Sequence, residues 1–388
     1  APEPRRPVPA SPRSSGRGYP VRDCTVACYY FPNYHPGDAR NEVVHGPLWS
    51  EWELVKRCPP LFEGHRQPRV PAWGYTDESA PAEMARKIDA AADHGIDAFL
   101  FDWYWYDDGP FLEAGLERGF LGAANNERLR FALMWANHDW HDVHPQKQPG
   151  VMPLLYPGRV TPETFETLTD YVIERYFTHP SYWTIEGRPY FSVYKLGTFL
   201  ESFGTPEAAR EAVAGFRARV RAAGFPDLHL NAIFFGLPDL PGDPAVRAPE
   251  DVIPALGFDS ATSYVWVHHV ALDRPETPYG EAMEKYLELA RRAVRTCPVP
   301  YYPNVTVGWD NNARYHLVGR RNIMSGATPE AFGEAVRRVR GCLEGAAPSA
   351  RILTVNAWNE WTEGSYLEPD TDYGMAYLEA LREALAGH

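Results

Sequence analysis

The chain has 388 residues, 44% of them hydrophobic and 23% charged, with a formal net charge of −13. Those proportions are ordinary for a globular protein, and the length suits one large barrel-like domain. The acidic balance argues against a nucleic-acid partner, because a phosphate backbone requires a basic face. No apolar run approaches the length needed to span a bilayer. Aromatic residues are the positive hint: they make up 13%, with 12 Trp and 22 Tyr. Sugar sites use such rings as apolar platforms whose OH and NH tips make hydrogen bonds, although cores use them too.

Five cysteines (Cys24, Cys28, Cys58, Cys297 and Cys342) are too few and too odd for a disulfide framework. Cys24 and Cys28 fall on one face of an apolar run, which reads as buried thiols rather than metal ligands. No metal and no other cofactor is expected, and a carbohydrate is the expected partner. Compartment and oligomeric state stay open.

In chain order, residues 1–20 are rich in Pro, Arg, Ser and Gly and read as a disordered tail. Residues 21–388 read as one domain with a single rhythm. Strand-like runs occur at Thr25–Phe31, Ile96–Phe101, Leu129–Trp135, Pro189–Tyr194, His229–Phe235, Ser260–Val265, Tyr301–Val307 and Ile352–Val355. Helical periodicity separates most of them, most clearly over Ala82–His94, Pro162–Tyr176, Pro206–Ala223, Glu281–Arg295, Pro329–Leu343 and Tyr373–Ala386. Thr161-Pro162, Thr205-Pro206 and Thr328-Pro329 each place a capping hydroxyl ahead of a proline suited to the first helical turn. Gly95 and Gly224 sit where helices should stop.

Alternation of strand and helix implies parallel pairing, and eight strands are the number that closes a (β/α)8 TIM barrel, an α/β fold. The runner-up is an open doubly wound sheet. It lacks support, since the only G-x-G, Gly16-Arg17-Gly18, lies in the tail and follows no strand. The long stretches Asn33–Gly74 and Trp135–Thr161 should wall the cleft, because loops after strands build a barrel's active face.

The strand ends are chemically rich. Tyr30 and His35 follow the first strand, Asp102 and Trp103 the second, Asn137 the third and Tyr194 the fourth. Tyr264 and Trp266 end the sixth, Trp309 the seventh, and Asn359 and Trp361 the eighth. Any one of them is explained as well by packing or a turn, as a cap for Asp102 or a turn amide for Asn137. Their convergence on one rim favours substrate binding. His268-His269 and His138-Asp139 raise a metal as a minority reading, without a paired-ligand signature.

After the eighth strand the chain reads Asn359-Glu360-Trp361-Thr362-Glu363-Gly364. Two carboxylates three residues apart share one face if the segment makes a helical turn. Crowding among indoles and mutual repulsion push their pKa values apart, and two acids of different pKa are what cleavage of a sugar acetal needs. Glu368, next to Pro369 and Asp370, reads as part of the turn into the last helix.

This segment resembles the NEW-x-EG motif of glycoside hydrolase family 99, the endo-α-mannosidases and endo-mannanases. The fuller resemblance, over most of the chain, is to the family-99-like (WbsX-type) proteins. It includes residues 29–35 (YYFPNYH), Trp49-x-Glu51-Trp52, residues 60–68 (PLFEGHRQP), His94-Gly95-Ile96-Asp97, Trp135-Ala136-Asn137 and residues 356–370. The resemblance implies a (β/α)8 barrel and retaining chemistry through a 1,2-anhydro sugar. Glu360 would deprotonate the substrate's 2-hydroxyl, and Glu363 would serve the leaving group as acid and then water as base. The chain departs from the mannosidase motif at Thr362, where His is common, so the likeness carries the acid pair and not the sugar. Two other readings stand beside this one. A glycosyltransferase is suggested by the company such proteins keep and by Asp370-Thr371-Asp372, although a cap explains that triplet. A non-catalytic carbohydrate-binding barrel would use the same aromatic rim.

Overall fold

The run Ala98–Tyr106 shows no polar–apolar alternation, and in the structure all nine of its residues are buried. This is the mark of a strand covered on both faces, as parallel sheets require. The computed structural model describes residues 23–237, 246 and 248–386; the expected tail over residues 1–20 lies outside the described residues. The strands are β1 (Thr25–Tyr30), β2 (Ala98–Tyr106), β3 (Arg130–Trp135), β4 (Arg188–Val193), β5 (His229–Ile233), β6 (Ser260–Thr262), β7 (Tyr301–Tyr302 with Asn304–Thr306) and β8 (Ile352–Asn356).

Each strand pairs in parallel with its sequence neighbour from β1 through β6. Closure happens at β7, which is split at Pro303: Tyr301 and Tyr302 pair with β6, and Asn304–Thr306 pair with β8. Proline has no N–H to give a ladder, but its carbonyl still accepts from Thr354 N at 3.0 Å. β8 then pairs with β1, Thr25 opposite Ile352, and the ring is complete. The fold is a (β/α)8 barrel.

A helix follows every strand: α1 (Pro81–Asp93), α2 (Gly115–Phe120, a π-helical turn), α3 (Pro162–Val172), α4 (Pro206–Ala222), α5 (Pro249–Ala255), α6 (Tyr279–Thr296), α7 (Pro329–Gly341) and α8 (Ala376–Ala386). Thr161, Thr205 and Thr328 cap α3, α4 and α7 as expected, each accepting from the backbone N–H three residues on. Gly95 and Gly224 take positive φ (96° and 101°) and end α1 and α4.

Two strand ends differ from the sequence reading. β2 runs past Phe101 to Tyr106 and folds back in an antiparallel pairing with Gly109–Phe111, so Asp102 and Trp103 belong to the strand rather than to the loop after it. Its alternating aromatics suit a pleated surface, and Asp107-Asp108 makes the turn. β6 stops at Thr262 instead of Val265, and the chain leaves the barrel through a 3₁₀ turn at Trp266–His268. Glu368 lies at a bend on the way to α8. It is buried and paired with Lys87 of α1 at 3.0 Å.

Replacing Thr161, whose hydroxyl accepts from Thr164 N at 3.1 Å, with Ala removes the cap of a helix that buries Phe165, Leu168 and Val172. The expected loss is about 1 kcal/mol, read as a lower denaturant midpoint with an unchanged slope.

Candidate active site

The segment after β8 leaves the barrel mouth as a two-residue strand, Asn359–Glu360, and enters a 3₁₀ turn over Trp361–Glu363. Residues three apart on such a turn eclipse one another, which puts Glu360 and Glu363 on one side. Gly364 ends the turn at φ 63°, with its position packed against Asp310, where a Cβ would meet the Asp310 side chain at 2.8 Å. Both acids line a cleft of about 390 Å³ at the C-terminal mouth of the barrel.

One cation organises the carboxylates. Arg314, from the short helix Asn312–Tyr315 in the loop after β7, reaches Glu363 at 2.6 Å, Glu51 at 2.9 Å and Glu360 at 3.3 Å. Its loop is fixed from below. Asp310 accepts from Asn312 Nδ2 at 2.7 Å and Gln67 Nε2 at 3.1 Å and pairs with His65 at 2.9 Å. Burial alone would raise the Asp310 carboxyl, but His65, Arg69 and Asn312 outweigh it and hold it well below the usual carboxylate range.

Glu51 is fully buried. Asn33 Nδ2 donates to it at 2.7 Å, and Thr362 Oγ1 donates to its other oxygen. Burial pushes Glu51 up, yet Arg314, His144 and the Thr362 hydroxyl bring it below its ordinary value. Thr362 is thus spent on Glu51 and does not line the cleft. Glu360 moves the other way: burial raises it first, repulsion from Glu363 raises it further, and Arg314 only partly offsets both. Tyr264 OH lies 3.0 Å from Glu360 Oε1 and 2.8 Å from Asp102 Oδ2, and burial pushes the Asp102 carboxyl up as well.

The structure divides the rim residues into two groups. Asp102, Tyr194, Tyr264, Trp309, Glu360 and Glu363 come together around the cleft. The rest do not line it. Tyr30 donates to Glu78 at 2.8 Å inside the barrel, and His35 is buried against Pro36. Trp103 packs on Trp105 and Tyr176, and Trp266 donates to the Asn304 carbonyl at 3.0 Å. Asn137 clamps the Lys195 backbone through both its amide atoms at 2.8 Å. Asn359 does the same for Phe31 at 2.7 and 2.8 Å, while Trp361 stacks on Tyr366 and donates to Glu368 at 2.9 Å. These residues shape the ground beneath the site. Trp140 and His144, from the long stretch after β3, do wall the cleft, and the two rings stack at 5.0 Å. Sequence reasoning missed Arg314, whose only signal is its place after β7. Among the described residues, no three His, Cys, Asp or Glu side chains gather as metal ligands.

Fold and cleft define a (β/α)8 barrel carrying an arginine-clamped carboxylate pair at its C-terminal mouth. Residues 26–381 match the family described as Glycosyltransferase WbsX, and the chain belongs to that family. It is 31% identical over 383 residues to the uncharacterized protein WxcX of Xanthomonas campestris pv. campestris (strain ATCC 33913), covering 93% of this chain and 49% of that one. The chain therefore spans about half the length of the curated relatives it matches. Among solved structures, the GH99 endo-α-mannosidase of Bacteroides thetaiotaomicron aligns with a TM-score of 0.58 at 14% identity, over 93% of this chain and 96% of that one. A glycoside hydrolase-like protein aligns at 0.61 and 14%, over 96% and 98%. At such identities these likenesses speak for the shared barrel fold.

His144, stacked on Trp140 with Glu51 at 4.0 Å, is held by burial at a pKa of about 4, below its ordinary 6.5. The unfolded chain therefore binds a proton that the folded one refuses between those values, and stability falls as pH drops through that window. His144→Gln should flatten the decline measured by chemical unfolding from neutral pH down to about pH 4.

Proposed function

We propose that the protein is a retaining glycoside hydrolase acting on a polysaccharide or oligosaccharide. The observation that carries this reading is the Glu360–Glu363 turn, held by Arg314 and opening onto a cleft lined by Phe31, Tyr104, Trp140, Tyr194 and Trp309. Aromatic faces suit the C–H surfaces of sugars, and the carboxylates suit proton transfer at the acetal. The barrel likeness to the endo-α-mannosidase and the hydrolase-like protein is consistent with it.

The roles follow from position. Glu360 is the deeper acid and accepts from Tyr264, so it faces the sugar ring; Glu363 is the more exposed, at 14% against 4%. In the first step Glu360 takes the proton of the 2-hydroxyl as that oxygen attacks the anomeric carbon. The bond to the leaving oxygen breaks, and Glu363 protonates it. In the second step Glu363, now a carboxylate, takes a proton from water, whose oxygen opens the 1,2-anhydro ring at the anomeric carbon. The 2-oxygen recovers its proton from Glu360. Two inversions give net retention.

A glycosyltransferase is the second reading, favoured by the family's description. The Asp370-Thr371-Asp372 triplet lends it little. Asp370 is buried, accepts from Tyr366 OH at 2.8 Å and from the N–H groups of Asp372 and Tyr373 at 3.0 and 2.7 Å, and so closes a turn.

Glu363→Gln should lose about 10²- to 10⁴-fold in turnover on an unactivated glycan, with a much smaller loss on a substrate whose leaving group needs no protonation. Equal losses on both would remove Glu363 as the acid. Calorimetry showing a nucleotide sugar bound tightly with a divalent metal, with no hydrolysis of any glycan, would establish the transferase instead.

A further inference from the structure

The hydroxyl of Tyr264 carries one hydrogen but faces two carboxyl groups, Asp102 Oδ2 at 2.8 Å and Glu360 Oε1 at 3.0 Å. All three residues are buried: as whole residues Asp102 and Glu360 are each 3% exposed and Tyr264 is 5% exposed. A hydroxyl donates one hydrogen bond, and an ionised carboxylate only accepts. If both carboxyls were ionised, one oxygen would face the phenol oxygen at hydrogen-bond distance with no hydrogen between them. Both contacts are satisfied only when one of the two acids keeps its proton and donates it to Tyr264.

Which acid keeps it is set by the surroundings. Glu360 Oε2 has the Arg314 guanidinium at 3.3 Å, whereas Asp102 makes no ion pair among the described residues. The other oxygen of Asp102, Oδ1, is buried with no hydrogen-bond partner among them. An unpartnered buried oxygen is costly on a carboxylate and cheaper as the carbonyl of a neutral acid. The titratable and charged groups facing these three side chains include Arg314, Glu363, Glu51 and the tyrosines 29, 34, 104 and 194, with the His268 ring 6.0 Å from Tyr264. Among the described residues Arg314 pairs with Glu360 and not with Asp102, and that pairing favours charge on Glu360.

We propose that Asp102, Tyr264 and Glu360 share a single extra proton, that Asp102 holds it at neutral pH, and that Tyr264 consequently donates to Glu360 and favours its anionic form. Asp102 is then a positioning residue acting through Tyr264. Its importance for catalysis rests on the reading of Glu360 as base, but its protonation does not. The arrangement answers a difficulty of the site, since burial and repulsion from Glu363 push Glu360 up and Arg314 offsets them only in part. A donor hydrogen bond from Tyr264 favours the charged form of the group that receives it.

Infrared spectroscopy of the whole protein at neutral pH tests this directly. The expected spectrum contains the carbonyl band of a protonated carboxylic acid that shifts when aspartate is isotope-labelled at its side-chain carboxyl and is missing from Asp102→Asn. Glu78, also buried and raised to about 7, contributes equally to both proteins and cancels in their difference. A wild-type spectrum with no acid band that shifts with labelled aspartate, or an aspartate-shifted band that survives in Asp102→Asn, overturns the proposal. If Asp102→Asn fails to fold, as judged by its thermal melt, the two labels on the wild-type chain decide alone. A protein inactive on every glycan but showing the aspartate band would refute the glycosidase reading and leave the shared proton standing; hydrolysis with the band on glutamate would do the reverse.

Discussion

Arg314 is the interaction on which the site depends. Its guanidinium touches Glu51 and, far on in the sequence, the neighbouring pair Glu360 and Glu363, carboxylates that without it would repel one another in a buried pocket. At separations near 4 Å and the effective dielectric of a protein, each such attraction is worth roughly 4 kcal/mol before desolvation is charged against it. Arginine suits the task because its planar fork presents several donors at once and remains charged. One positive charge among three acids still leaves the cluster short of neutrality. Burial is the main reason that Glu360 and Asp102 are pushed up, and repulsion from Glu363 adds to it.

The clamp is held by a second layer. Asp310, gripped by His65 and Gln67, sets the loop from which Arg314 projects. Its backbone N–H also donates to the Glu363 carbonyl at 2.6 Å, tying that loop to the turn. Beneath the turn, Lys87 pairs with Glu368, Glu368 receives the Trp361 indole N–H, and Asn359 fastens the segment to β1 through Phe31. Buried polar networks of this kind fix geometry only while every member is satisfied. The motif Asn359–Gly364 is therefore a ledge whose outward carboxylates face the cleft and whose inward residues hold it in place.

The barrel was readable because each of its signals is local: apolar runs, helical periodicity, Thr-Pro caps and stop glycines. The acid pair was readable for the same reason, being three residues apart on one turn. What could not be read is which strand-end side chains turn inward. Asp102 and Trp103 are neighbours, but one faces the cleft and the other packs outward on Tyr176, because β2 continues as a pleated strand past the point where a loop was expected. Trp266 and Tyr264 part in the same way once β6 gives over to a 3₁₀ turn. Lys87 looks like a solvated helix residue in sequence, and only the fold brings it to Glu368 at 1% exposure. Arg314 meets Glu51 across 263 positions, a contact that has no local signature.

The central claim is that Glu360 and Glu363 work as a pair on one sugar, through two inversions at the anomeric carbon. The most direct test is proton NMR of the first products released from a cleaved glycan, before the new reducing end mutarotates. The account predicts that the anomeric configuration of the substrate is retained. Release of the opposite anomer would contradict it.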